Sequence, residues 1–273
     1  MRLGRIGYVN CYPVYGAMDR GLVAVPASLV TGTPAELNDR LADGRLDVSV
    51  VSAVAYAAHA EDFELLPDLA ISSDGPVRSV LLFSRRAPDE LDGARVLVST
   101  ASRTSVLLLD LLARDRWRVV LDTVPAPAEP GDLARLAEVP HDAALVIGDG
   151  ALLLSARRAY PHVTDLGEAW KAWTGLPFVF AVWAARRAVD RQAVRDVHRA
   201  LLASRKWGLA HLDDLAAQAS AATGVEPGPC REYLAGLDYG LSYRHLAGLT
   251  DFLRRLAARG SVPDGTLSFL GAA

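Results

Sequence analysis

Strand and helix signals alternate through the first part of this chain, and that alternation constrains its fold more than any other feature of the sequence. A capping box runs from Thr33 to Glu36, with Pro34 at the first helical position. It predicts a helix that ends at Gly44, because glycine readily adopts the left-handed conformation that ends a helix. The apolar stretch 46–51 follows and predicts a buried strand.

The same alternation recurs on both sides of that helix. Apolar stretches at 3–9 and 28–31 predict two earlier strands. A second unit of strand, helix and strand is predicted at 95–99, from Thr104 onward, and at 143–147. Such a series is typical of α/β folds, in which parallel strands carry helices on their faces.

Two further strand-like passages, at 79–84 and 178–184, join these units. They predict a bilobal body, two α/β lobes connected by a double crossover of the chain. In such folds a ligand binds in the cleft, at the carboxyl ends of the strands. The proline-rich linker 124–131 is predicted to be extended or loop-like, and the chain from Arg187 onward to be mostly helical.

A polar loop meets an apolar strand in the segment 72–84. Its Asp74-Gly75-Pro76 sequence favours a turn, since glycine allows a positive φ and proline fixes φ. The continuous apolar run 80–83 predicts a buried strand. Arg78 and Ser79 lie at its mouth, where a cation and a hydroxyl can meet an anionic ligand, although Arg78 can instead form a surface ion pair.

Hydroxyl side chains and one guanidinium gather where the helix of the second unit begins. A helix N-terminus with such groups is a ready site for an anion. The alternative is that serine and threonine only cap the helix, as they do in most proteins. The candidate substrate-binding residues of this segment are Ser99, Thr100, Ser102, Arg103, Thr104 and Ser105.

Three polar residues at other strand ends complete the candidate site. Asn10 follows the first strand, where its amide can donate to and accept from a substrate hydroxyl or can serve the turn. Ser52 offers either a cleft hydroxyl or a helix cap. Asp149 follows the strand 143–147 and can order the cleft, pair with Arg103, or have only a structural role.

The composition narrows the chemistry. The formal net charge is −3 and basic residues cluster only in isolated pairs, which argues against nucleic-acid binding. Lys171 and Lys206 are the only lysines, and neither has a site-like context for covalent catalysis. Metal-ligand spacings and glycine-rich phosphate loops are absent from the sequence, so we expect no cofactor and no metal.

The cysteines and the apolar stretches indicate the cellular compartment of the protein. Cys11 and Cys230, the only cysteines, form no metal or redox spacing and indicate a reduced intracellular protein. The N-terminus has no apolar signal core, and no stretch approaches the roughly 18 apolar residues of a membrane span. We expect a cytoplasmic protein with no membrane partner.

Several segments resemble the signature segments of one enzyme family. Besides 72–84 they are Gly7-Tyr8-Val9-Asn10, Ser102-Arg103-Thr104-Ser105, Val146-Ile147-Gly148-Asp149, Asp165-Leu166-Gly167-Glu168, Trp170 and 173–183. They occur in the family's order and are similar to those of chorismate dehydratases, which catalyse the first step of the futalosine route to menaquinone. The resemblance covers about residues 1–185. It implies the type II periplasmic-binding-protein fold, with 1–83 and 182–273 as one lobe and 84–181 as the other.

The resemblance also implies a substrate and a reaction. Chorismate is a small dianion, and loss of its C3 proton and C4 hydroxyl makes the ring aromatic, giving 3-[(1-carboxyvinyl)oxy]benzoate. The family's motifs carry a catalytic role onto Asn10 and Ser79. The nearest carboxylates, Asp74, Asp149 and Glu168, include no clear base. We therefore hypothesise that the enolpyruvyl carboxylate of the substrate takes the proton.

Two other functions stay open from the sequence. One is a non-catalytic binding protein for small anions, since the same fold serves many functions. The other is the later enzyme of the same route, which releases dihydroxynaphthoate. The oligomeric state also stays open, with a homodimer as one option.

Overall fold

The computed structural model describes residues 1–271, and within them the strands form two five-stranded sheets. The first sheet comprises β1 (Arg2–Ile6), β2 (Ser28–Gly32), β3 (Val48–Ser52), β4 (Phe63–Ser73) and β10 (Phe178–Arg186), in the order β2-β1-β3-β10-β4. The second comprises β5 (Val80–Ser84), β6 (Arg95–Ser99), β7 (Asp122–Ala126), β8 (Ala143–Ile147) and β9 (His162–Asp165), in the order β7-β6-β8-β5-β9.

Each sheet has a parallel part and an antiparallel part. β1 pairs in parallel with β2 and β3, and β6 pairs in parallel with β7 and β8. β10 runs antiparallel between β3 and β4, and β5 runs antiparallel between β8 and β9. The parallel strands of each sheet therefore all end on one edge, as the predicted α/β fold requires.

Helices connect the strands and form most of the C-terminal third. They are α1 (Tyr12–Asp19), α2 (Pro34–Ala42), α3 (Ala53–Ala58), α4 (Arg103–Leu111), α5 (Leu133–Glu138), α6 (Gly148–Arg157), α7 (Leu166–Thr174), α8 (Arg191–Ala210), α9 (Leu212–Thr223), α10 (Pro227–Ala235) and α11 (Tyr243–Ala257). A π-helical turn at Leu112–Trp117 continues α4. α8 packs on α1 and α11 packs on β10, so these two C-terminal helices belong with the first sheet.

The local sequence signals explain the helix ends. The capping box before α2 is confirmed, because the Glu36 N–H donates to Thr33 Oγ1 at 3.3 Å and the Thr33 N–H donates to Glu36 Oε2 at 2.9 Å. The helix ends before Gly44, whose φ is +73°. Ser52 caps α3 by accepting a hydrogen bond from the Ala55 N–H at 3.2 Å.

The passages between the two sheets differ in position from the predicted lobe boundaries. β5 pairs along its whole length in the second sheet, and β10 pairs along its whole length in the first. The boundaries predicted at 83/84 and 181/182 fall inside these two strands. The chain therefore leaves the first sheet before Val80 and returns to it at Phe178.

Three strands, β4, β7 and β9, were not predicted from the sequence. β4 is eleven residues long, and Ser72 and Ser73, predicted to lie in a loop, are its buried last residues. Pro67 and Asp68 make β4 difficult to recognise in the sequence. Asp68 has a φ of +55° at the point where the pairing of β4 with β10 shifts register. The predicted linker 124–131 contributes to β7, an edge strand, where proline is tolerated.

Among residues 1–271 we find no helix with both the length and the apolar character that a membrane span requires.

Candidate active site

A cavity lies where the parallel strands of the two sheets end. Ile6, Ser52 and Ile147, the last residues of β1, β3 and β8, form part of its wall. The full lining is Ile6, Tyr8, Asn10, Pro34, Ser52, Ile71, Val77, Ser79, Val80, Ser102, Ser105, Ile147, Gly148, Phe180 and Ala181. Both sheets contribute, so the cavity is a cleft between the lobes.

Five predicted site residues meet in this cavity. They are Asn10, Ser52, Ser79, Ser102 and Ser105. Asn10 lies in a short 3-10 turn directly after β1, and Ser79 directly precedes β5. Ser102 is the N-cap of α4, accepts the Ser105 N–H at 3.1 Å and donates from its hydroxyl to Ser105 Oγ at 2.9 Å. Capping and cleft lining are therefore compatible roles for the same serines.

Other hydroxyls predicted at the start of α4 serve the fold. Ser99 Oγ accepts the Ala101 N–H at 3.2 Å, which shapes the turn before the helix. Thr104 Oγ1 accepts the Val54 N–H at 3.1 Å and so ties α4 to α3. Thr100 is exposed. None of these three lines the cavity.

The two predicted arginines also lie outside the cavity. Arg78 is exposed, has a φ of +60°, and donates from its backbone N–H to Asp165 Oδ2 at 2.6 Å. Its guanidinium approaches Gly236 after α10, so closely that a Cβ there would lie 2.4 Å from Nη1. Arg103 is exposed on the first turn of α4. Neither guanidinium is therefore placed to hold a carboxylate in the cavity.

Asp149 stands behind the cavity wall. It accepts the Val9 N–H at 3.1 Å, which links the second sheet to the first, and no ion pair within residues 1–271 joins it to Arg103. Burial raises the pKa of this carboxyl to about 6, the nearby Glu129 carboxylate adds to the increase, and the Val9 hydrogen bond opposes it. A second hydrogen bond links the two lobes near Asp149, where the Tyr8 hydroxyl donates to Glu129 Oε1 at 2.5 Å.

The remaining carboxylates of the motifs, Asp74 and Glu168, do not line the cavity. Asp74 is ion-paired with Lys171 and, at 3.0 Å, with Arg244, and the Lys171 contact contributes most to holding its pKa below the ordinary value. Glu168 is exposed on the first turn of α7. The cavity lining found within residues 1–271 accordingly contains neither an acidic nor a basic side chain.

Helix N-termini supply the positive potential that the side chains lack. In the six-residue α3, the Val54 and Ala55 N–H groups already donate to Thr104 Oγ1 and Ser52 Oγ. α4 begins after Ser102 and α6 begins at Gly148, and both of these residues line the cavity. Unpaired N–H groups and the helix dipole favour an anion at such positions. Ile71, Val80 and other apolar residues of the wall suit a flat ring. The site can hold a small anion with an apolar ring and can donate hydrogen bonds to it.

Sequence reasoning missed the contributions of Tyr8 and Tyr233. Tyr8 lines the cavity within a quoted motif, and its ring packs so closely on Gly148 that a Cβ there would lie 2.8 Å away. Gly148 also has a φ of +59°, so this approach requires glycine. Tyr233 comes from α10, in a part of the chain where no motif marked it, and its buried hydroxyl lies beside Ser79 and Asn10.

Comparisons with known proteins agree with this geometry. A family model described as "Menaquinone biosynthesis" matches residues 1–258. A chorismate dehydratase from Thermus thermophilus is 35% identical over 244 residues, which are 82% of this chain and 84% of that protein. A 1,4-dihydroxy-6-naphtoate synthase from Streptomyces coelicolor is 29% identical over 204 residues, 70% of this chain and 67% of that protein.

The fold has relatives among solved structures. The alkanesulfonate-binding protein SsuA from Xanthomonas axonopodis pv. citri, bound to MOPS, superposes with a TM-score of 0.70 at 15% identity, covering 98% of this chain and 95% of that one. This likeness concerns the fold alone. It confirms the bilobal periplasmic-binding-protein-like architecture that the alternating strands and helices predicted.

Proposed function

Since this chain belongs to the menaquinone biosynthesis family, we propose that it is a chorismate dehydratase, a hydro-lyase that converts chorismate to 3-[(1-carboxyvinyl)oxy]benzoate and water. The observation that carries the proposal is the cavity, where hydroxyls and an amide from both sheets meet the N-termini of α4 and α6. The 35% identity with a chorismate dehydratase supports the choice of substrate.

The cavity suits a dianion with an unsaturated ring. Serine hydroxyls and helix N–H groups can donate to both carboxylates without bringing a second buried ion into the cleft. Ile6, Ile71 and Phe180 offer apolar surface to the ring. Fixed donors on two lobes also hold the substrate in one orientation, which removes part of the entropic barrier to reaction.

We propose that the substrate supplies its own base. The enolpyruvyl carboxylate takes the C3 proton, the C4–OH bond breaks, and the ring gains its third double bond. Ser79 and Asn10 orient the substrate and donate to the departing hydroxyl, on which negative charge develops. The proposal is supported by the uncharged lining of the cavity and by Asp74, which does not line the cavity and is ion-paired with Lys171 and Arg244. Ser52, Ser102 and Ser105 bind the carboxylates.

The test pairs two serines at opposite ends of β5. Ser79 has one long hydrogen bond, 3.5 Å to the Val77 carbonyl oxygen, whereas Ser84 donates to the Arg86 carbonyl oxygen at 2.7 Å away from the cavity. We expect Ser79→Ala to lower kcat on chorismate by about 100-fold or more with little change in stability. Ser84→Ala should cost about 1 kcal/mol of stability and leave kcat unchanged.

The assay follows the aromatic product by ultraviolet absorbance and chromatography with the purified protein. Full turnover by Ser79→Ala would remove that residue from the mechanism. Thermal stabilisation by chorismate without any product would indicate a binding protein instead. Turnover of a dihydroxynaphthoate precursor but not of chorismate would favour the second function, to which the 29% identity with a naphthoate synthase gives some support.

We also place the enzyme in the cytoplasm. Cys11 and Cys230 are both free and buried, which is compatible with a reducing compartment.

A further inference from the structure

Asp165 is a half-buried carboxylate at the end of β9 to which the proposed mechanism gives no role. It is the N-cap of α7, since Oδ1 accepts the Gly167 N–H at 2.9 Å and the Glu168 N–H at 3.1 Å. The same side chain also bonds the loop before β5. Oδ1 accepts the Val77 N–H at 3.1 Å, and Oδ2 accepts the Arg78 N–H at 2.6 Å. A helix cap needs only the first two bonds, so the two bonds to the loop need a separate explanation.

The two loop bonds act on the residues directly before Ser79. Arg78 has a φ of +60°, a conformation that residues with a Cβ rarely adopt. Such a conformation persists only where surrounding contacts hold it, and the short bond from the Arg78 N–H to a carboxylate is a strong contact of this kind. The Ser79 hydroxyl has one long bond of its own, back to the Val77 carbonyl oxygen at 3.5 Å. The direction of that hydroxyl therefore depends on the backbone that Asp165 holds.

The chain is fixed on both sides of Arg78. After it, the Ser79 carbonyl oxygen accepts the Gly148 N–H at 2.8 Å, and β5 pairs with β8 along its length. Before it, the loop rests on the first turn of α7, so closely that a Cβ at Gly167 would lie 2.7 Å from the Gly75 carbonyl oxygen. Arg78 thus lies between two fixed segments, and its φ determines how they join at Ser79.

We infer that Asp165 is a positioning residue, which holds Arg78 at a positive φ and so directs the Ser79 hydroxyl into the cavity. Asp165 does not line the cavity itself, whereas Val77 and Ser79 do. Both carboxylate oxygens are needed, because one bonds α7 and Val77 while the other bonds Arg78. The inference deepens the proposed function and rests on it for the role of Ser79.

Asp165→Asn tests the bond to Arg78 with almost no change in shape. If the carboxamide oxygen occupies the place of Oδ1, its three bonds survive and an NH₂ group faces the Arg78 N–H, so that two donors meet. The opposite orientation loses the three bonds instead. Asp190→Asn is the matched control, because Asp190 is the N-cap of α8, accepts the Ala193 N–H at 2.9 Å and does not line the cavity. Asparagine caps a helix as well as aspartate does, so a role in capping alone predicts the same kinetics for both variants.

Kinetics on chorismate form the first arm of the test. We expect Asp165→Asn to lower kcat by about 10- to 100-fold, because a small misplacement of a catalytic group has an effect of this size. KM should change by less than kcat, and Asp190→Asn should match the wild type in both. Equal kcat values for the two variants would overturn the inference. Asp165→Ser, which keeps a good cap with a single oxygen, should lower kcat as well and replaces Asp165→Asn in the test if that variant does not fold.

Arg78→Gly provides a rescue that a role in capping would not produce. Glycine adopts a positive φ without steric strain, so it needs no carboxylate to hold it there. Arg78→Ala is the control, since it also removes the guanidinium but keeps the Cβ. We expect Asp165→Asn to lower kcat in the Arg78→Ala background as it does in the wild type, and by no more than about 2-fold in the Arg78→Gly background. Equal losses in the two backgrounds would overturn the inference.

The second arm needs no turnover. A positive φ brings the N–H and Hα protons of a residue close together, so Arg78 should give a strong nuclear Overhauser effect between them in the wild type. We expect Asp165→Asn to weaken this effect and to shift the Ser79 amide resonance, and Asp190→Asn to change neither. An unchanged Arg78 signal in folded Asp165→Asn would overturn the inference, whatever the activity of the wild type. A weakened signal in a protein that does not turn over chorismate would refute the proposed function and still support the hold of Asp165 on the loop before Ser79.

Discussion

Neutral and charged side chains that were predicted for the same site lie in different places. Five of the eight neutral residues line the cavity, whereas all three charged residues lie outside it. The cavity set is Asn10, Ser52, Ser79, Ser102 and Ser105, and the outer set is Arg78, Arg103 and Asp149. Both sets occur at strand ends and helix starts, so position in the predicted fold did not separate them.

The separation shows how a cleft of this kind can hold an anion. A guanidinium or carboxylate enclosed between two lobes would lose its water, which costs several kcal/mol unless every hydrogen bond is replaced. Helix N–H groups and serine hydroxyls are dipoles fixed in place by the fold, and they need little reorganisation when charge arrives or moves. Neutral donors therefore suit both binding and a reaction in which negative charge passes to a leaving hydroxyl.

Asn10→Asp should have the largest effect on the separation of neutral from charged residues, because it places a negative charge among the neutral residues of the cavity. Two like charges 4 Å apart repel by about 4 kcal/mol at the effective dielectric constant of a protein surface. We expect the affinity for chorismate, measured by titration calorimetry, to fall by roughly a thousandfold. Asn10→Ser, which stays neutral and keeps a donor, should lose much less. Equal affinities for the two variants would contradict a cavity that depends on neutrality.

Asp149→Asn removes an ionisable group from the charged residues outside the cavity and tests how its ionisation affects the stability of the fold. The folded-state pKa of about 6 lies above the ordinary aspartate value of 3.8, so ionisation of Asp149 favours unfolding. The stability that this group contributes is complete below about pH 4 and is lost as the pH rises through about 6. Asparagine can still accept the Val9 N–H, so it should add about 3 kcal/mol at pH 8 and almost nothing at pH 4.

Urea unfolding of the wild type and Asp149→Asn between pH 4 and 8 measures this effect. Parallel stability curves would show that Asp149 is ordinarily solvated in the folded protein. The same variant also tests which group accepts the C3 proton of chorismate. If Asp149→Asn abolished turnover of chorismate without weakening binding, a carboxylate of the enzyme would replace the substrate carboxylate as the base in the mechanism.

The neutral set was predictable because capping is a local property. Ser52 and Ser102 were recognised as helix starts, and helix starts at the ends of parallel strands face the cleft. Residues three apart on a helix share a face, so Ser105 points the same way as Ser102. Arg103, one position along, points elsewhere, and this direction could have been read from the period of the helix.

Tyr233 was not predictable, because its environment is made entirely by distant parts of the chain. It meets Asn10 and Ser79 only after the C-terminal helices have packed on the first sheet, and no local pattern around α10 marks that contact. Arg78 was misplaced for a related reason. Its positive φ turns the backbone N–H toward Asp165 and sends the side chain to Gly236, and a positive φ at arginine is not a sequence signal.

Arginine variants have the smallest expected effects. They test whether the charged residues stay away from the substrate when it is bound. Arg78 and Arg103 are exposed, and an exposed charge contributes at most about 1 kcal/mol to a nearby interaction. We expect Arg78→Ala and Arg103→Ala to lower kcat/KM by only a few-fold, through weaker attraction of the dianion, and salt should abolish the difference. A loss of about 100-fold in either variant that persisted at high salt would mean that the guanidinium reaches the substrate when the lobes close. The arginine would then contact the substrate together with the neutral residues, and the separation between the two sets would not hold in the complex.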